Sequence, residues 1–183
     1  MSELTRRDFL GKAVVMAGAL PFVPGLSPFP RSAGAAPAAG YASLTRADAT
    51  FTEALVNALC PADRLTPNGV DCGLARYIDL ALAGEFGAQR SSHGSLSREA
   101  FYKGGVKAVD AASERRFGRS FSQLRASDAG VLLAEVANGR VTDATVPLAA
   151  WHREVVAPLL VQASFSAGIY DKYDNNVFVK LFE

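Results

Sequence analysis

After residue 44, apolar positions recur at intervals of three and four along most of the chain. Phe51, Leu55 and Leu59 make the first stripe, a spacing that puts side chains on one face of an α-helix. Thr45 precedes it with Asp48 three residues on, a capping-box arrangement, and Pro61 stops it. Residues 60–73 form a loop whose strongest turn signal is Pro67-Asn68-Gly69. Leu74, Tyr77, Ile78, Ala81 and Leu82 predict a second helix over 74–82, with Gly84 as its stop. A polar, Gly/Ser-rich loop over 87–97 contains His93. Ser97 then caps a third helix, 98–117, with Phe101, Gly105, Val109 and Ala112 inward. The pair Gly104-Gly105 weakens that helix, which points to another backbone approaching closely there. Gly118 ends it, and Phe121 and Leu124 anchor the link. Ser127 is read as the cap of a fourth helix carrying Leu132, Leu133 and Val136, stopped by Asn138-Gly139. A fifth begins at Pro147 and runs through Leu148, Trp151, Val155, Leu159, Gln162 and Phe165. Pro158 lies inside it, so a kink is predicted over 154–158.

No run alternates as a strand does, and no repeat of fixed period appears. The pattern predicts an all-α fold: a single compact domain of about five helices, the last long one kinked at Pro158. The tail over 169–183 carries Tyr170, Tyr173, Phe178, Leu181 and Phe182. It is too apolar for an ordinary frayed end and is expected to dock on something.

The first residues follow a different plan. Arg6-Arg7 precede Phe9 and Leu10, an apolar run extends from residue 13 to 23, and Ala33-Gly34-Ala35-Ala36 offers a cleavage site. Charge, run and small residues in that order resemble a twin-arginine export signal, an address read by a receptor. The expected organisation is a signal over 1–35, a flexible leader over 36–44 and a helical domain over 45–183. Localisation is then periplasmic, with any membrane association made through a partner, because no later apolar run approaches the roughly 20 residues needed to cross a bilayer. Without its leader the chain of 183 residues is nearly balanced in charge. It lacks the overall basic character expected of a nucleic-acid binder.

Cys60 and Cys72 are the only cysteines. An oxidising compartment permits a disulfide between them, and closing so short a loop contributes roughly 3 kcal/mol in the chain-entropy model. Two thiols alone are too few for a structural zinc site. The bridge is the expectation, with two unpaired buried thiols as the alternative.

Signatures of chemistry are sparse. The chain has no G-x-G-x-x-G after a strand, no G-x-x-x-x-G-K-[ST] and no G-x-S-x-G. His93 reads as an exposed loop residue, and His152, beside Arg153 and Glu154, as a surface or ion-paired one. Asp171, Asp174, Asn175 and Asn176 lack the order of a calcium loop. Asp63, Asp71 and Asp79 are spread over a loop and a helix, with nothing to pair any two as acid and base. No catalytic, cofactor-binding or metal-binding residue is therefore assigned. Trp151 with Phe165 is either a core pair or a partner platform, since aromatics concentrate in interfaces. With Tyr170, Tyr173, Phe178 and Phe182 they are the candidate partner contacts.

Two blocks resemble a known family. The first is Pro61-Ala62-Asp63, Thr66-Pro67-Asn68-Gly69-Val70, Gly73-Leu74 and Tyr77-Ile78-Asp79. The second is Tyr102, Gly105-Val106, Val109-Asp110, Phe117-Gly118, Phe121 and Leu124. Together they are similar to the gluconate 2-dehydrogenase subunit 3 family, the small or gamma subunits of flavin dehydrogenases. The chain departs from the family pattern at Asn68-Gly69 and in the tail around Asp171-Lys172-Tyr173. The resemblance implies a subunit that holds no cofactor itself. Its expected partner is a large, FAD-bearing subunit of the glucose–methanol–choline type, which oxidises a sugar, sugar acid or glycoside. A cytochrome c subunit often accepts the electrons, and the small subunit escorts the large one through the twin-arginine translocase. The competing expectations are a stand-alone periplasmic binding module, with a cleft between loop 87–97 and the tail, and a small hydrolase using His93 or His152.

Overall fold

The computed structural model describes residues 38–168. Among them the regular structure is helical, with a lone bridge between Arg90 and Ser97 as the extended pairing. The order is α1 (Arg46–Leu59), α2 (Leu74–Ala83), α3 (Glu85–Ala88), α4 (Arg98–Phe117), a 3-10 turn (Phe121–Gln123), α5 (Ala126–Ala137), α6 (Leu148–Trp151), a π turn (His152–Val156) and α7 (Ala157–Ser166).

Helix α1 starts as its sequence dictates. The Asp48 amide donates to the Thr45 hydroxyl, and the Asp48 carboxylate accepts from the Thr45 amide. That reciprocal pair satisfies donors the first turn leaves free. Its buried face is Phe51, Leu55, Val56 and Leu59. Helix α4 is the centre of the domain, touching α1, α2, α3, α6, the 3-10 turn and the π turn. Its buried positions run in adjacent pairs, Phe101-Tyr102, Gly105-Val106 and Val109 with Ala108, because a central helix is covered on more than one side.

Several boundaries differ from the sequence reading. The loop after α2 holds a short extra helix, α3. Helix α5 is capped from Arg125 rather than Ser127, which lies inside the first turn, and Arg125 pairs with Asp128 three residues on. Around 152–156 the last helical run adopts a π turn, in which the Ala157 amide donates to the His152 carbonyl. Pro158 follows at the start of α7, where its missing N–H costs least.

Residues 38–44, read as flexible leader, are seated on the domain. Leu44 is fully buried and Ser43 nearly so. The Asp79 carboxylate on α2 accepts from the Ala42, Ser43 and Leu44 amides at 2.7, 2.8 and 3.0 Å. Lys103 donates to the Ser43 carbonyl at 2.9 Å, and the Tyr41 hydroxyl donates to Glu53 at 2.6 Å.

Candidate interaction surface

The acidic residues singled out by the sequence serve the backbone. Asp79 is 0% exposed and holds the strap over 42–44 as just described, with Arg76 at 3.2 Å. Asp63 accepts from the Leu65 and Thr66 amides, both at 2.8 Å, closing its own turn. Asp110 accepts from the Phe121 amide at 2.7 Å, tying the 3-10 turn to α4. Asp71 is held by Asn68, which donates to its carboxylate and accepts from its amide. The family-like blocks therefore record packing: Ile78, Tyr102, Val106, Val109 and Phe121 are all core. The Tyr102 hydroxyl meets Thr52 at 2.8 Å, and burial pushes its pKa well above the usual value.

His93 is an exposed loop residue, as expected, and its Nε2 lies 3.0 Å from Glu154, which also accepts from the Ser92 hydroxyl at 2.6 Å. Loop and π turn are clasped at this point. Burial works against the Glu154 charge, but the Ser92 hydrogen bonds and the neighbouring His93 and Arg153 outweigh it, so its pKa is lowered. His152 is half-buried, and burial pushes its pKa down to about 4, so its ring is neutral at physiological pH.

Cys60 and Cys72 require a correction: no disulfide joins them, and both are thiols. Cys60 is turned into the core, 2% exposed. The Cys72 thiol faces out towards the Pro67 carbonyl at 3.5 Å. Backbone bonds already close this loop, from the Gly69 amide to Cys60 and from the Leu74 amide to Gly69, and Asn57 accepts from the Val70 amide. The sulfurs thus point to different environments.

Of the two readings of Trp151, the structure takes the core one. It is 0% exposed, its indole N–H donates to the Tyr102 carbonyl at 3.1 Å, and its ring covers Gly105. A Cβ on Gly105 would lie 2.1 Å from the indole nitrogen. A side chain, not the expected backbone, makes the close approach. Phe165 stays a candidate contact: it is 61% exposed at the end of α7. Tyr170, Tyr173, Phe178 and Phe182, like Arg6 and Arg7, lie outside the described residues.

Among the described residues no cluster of three or more His, Cys, Asp or Glu side chains could hold a metal, and no helix is long and apolar enough to cross a membrane. The best-formed concavities are open hollows of about 170 and 320 Å³ on either side of Val141-Thr142. Both are at the low end of, or below, the usual size of small-molecule sites.

The class defined by these features is an all-helical domain built around α4, with its motif residues engaged in packing and capping. The chain belongs to the gluconate 2-dehydrogenase subunit 3 family, whose profile matches residues 46–174. No curated protein and no solved structure matches it.

Proposed function

We propose that this chain is the non-catalytic small subunit of a periplasmic, FAD-dependent dehydrogenase acting on a sugar, sugar acid or glycoside. The large subunit carries the flavin and the chemistry, and a cytochrome c subunit takes the electrons. The small subunit folds onto its partner before export and brings it through the twin-arginine translocase on the strength of Arg6-Arg7. The observation that carries this reading is the family match over 46–174. It is consistent with Asp63, Asp79 and Asp110 serving as acceptors for backbone amides.

Native purification of the exported chain is the test. A flavin-bearing dehydrogenase subunit is expected to come with it, and changing Arg6 and Arg7 together to Lys should strand both in the cytoplasm. The processed chain binding flavin or oxidising a sugar by itself would end this reading. Export of the large subunit despite the double change would end the shared-export part of it.

A further inference from the structure

One surface combines cations and an apolar floor. The hollow of about 320 Å³ lies where the end of α4 meets α5 and the loop that follows. Arg115 and Arg116 stand on the last turn of α4. Arg140 comes from the other side, placed there by the way α5 ends. Gly139 takes a left-handed φ of 69°, the Gly139 amide donates to Val136 and the Arg140 amide to Glu135. That is the six-to-one closure of a Schellman turn, and it turns Arg140 back towards α4.

The charges in the hollow are unevenly matched. Arg116 forms an ion pair with Glu135, joining α4 to α5. No ion pair among the described residues holds Arg115 or Arg140. Asp143 lies near Arg115, but its carboxylate accepts from the Thr145 hydroxyl and from the Thr145 and Val146 amides within its own turn. Glu114 neighbours Arg115 in sequence and does not line the hollow. Ala112 and Leu132, both buried, make the floor. Arginines at a helix C-terminus complement its dipole, which accounts for Arg115 and Arg116. It does not account for Arg140, which follows the helix and completes the rim.

We propose that this hollow receives an acidic segment of the large subunit, its carboxylates on Arg115 and Arg140 and an apolar side chain on the floor of Ala112 and Leu132. The inference rests on the small-subunit reading above. Guanidinium forks match carboxylates in geometry as well as charge, and opposite charge on the two surfaces speeds and orients their encounter.

The experiment uses the complex as purified. Changing Arg115 and Arg140 together to Glu should weaken the pair about tenfold or more and remove much of its salt dependence. Changing both to Lys keeps the charge and loses the fork, so it should weaken the pair less than the Glu change and leave the salt dependence in place. With that Lys variant, a carbodiimide coupling amines to carboxylates should link residue 140 to an acidic peptide of the flavoprotein, identified by mass spectrometry. Unchanged affinity and salt response in the Glu variant would overturn the inference, as would coupling of residue 140 only within this chain. Either result leaves the small-subunit reading standing. A wild-type chain that carries no flavoprotein at all defeats that reading, and this inference with it.

Discussion

Asp79 bears three backbone N–H groups on one fully buried carboxylate. Removing the acceptor leaves buried donors unmatched, at roughly 1–3 kcal/mol for each. Asp79→Ala should therefore destabilise the domain by about 3 kcal/mol or more and free the strap. Asp79→Asn, which keeps one acceptor oxygen, should fall between. Denaturant unfolding gives the energies, and protease cutting within 38–44 reports the strap; uncut strap with an unchanged midpoint would refute the latch. His152 supplies a pH-dependent counterpart. Its pKa is 6.5 when unfolded and about 4 when folded, so the unfolded chain binds the proton first as pH falls. The stability that the neutral ring permits is full above about 6.5, declines between the two values and levels off below about 4. The whole shift corresponds to roughly 3 kcal/mol. Unfolding midpoints across that range should slope in the wild type and slope less in His152→Gln; equal slopes would assign the effect elsewhere.

At the scale of elements, periodicity and caps were enough to read where the helices lie. Thr45 with Asp48 and Ser97 with Gly118 are strong local signals: the first pair opens α1, and the second bounds α4. Most of what went unread depends on contacts remote in sequence, although the α5 start is local, at Arg125 with Asp128 three residues on. The π turn arises where the segment before Pro158 is covered by α4 and α5, and no spacing rule encodes that. Cys60 and Cys72 looked bridgeable by compartment and count, yet side-chain direction decides bonding. Their separation makes a prediction: alkylation should modify Cys72 at once and Cys60 only on unfolding, with no change in stability on adding reductant. A reductant-sensitive midpoint would restore the bridge. The glycines were legible as a weakness in α4, but not the indole that explains Gly105. Gly105→Ala should force the Trp151 ring aside at a cost of about 1–3 kcal/mol. Gly104→Ala, whose Cβ would meet only the Val146 side chain at 3.4 Å, should be far milder.

For the whole molecule, the decisive feature is where the described core closes. The residues that bury one another run from Leu44 to Ala163, with Ala38, Tyr41 and Ala167 packed at the edges. That core already contains Trp151, the largest of the candidate contacts. Phe165 alone among the described contacts remains largely open to solvent, and it stands immediately before the aromatic-rich stretch over 169–183. The proposed association assigns the tail to the partner, apart from the described core over 44–163. Ending the chain after Gly168 should leave the unfolding midpoint close to that of the full-length subunit. It should also weaken co-purification with the large subunit, because Tyr170, Tyr173, Phe178 and Phe182 are removed. Phe165→Ser in the full chain should act in the same direction and less strongly, since an exposed ring adds little to the fold while a large aromatic at an interface core carries much of the binding energy. If truncation instead lowers the midpoint while association persists, the tail completes the domain, and the contacts with the partner lie elsewhere on the helical surface.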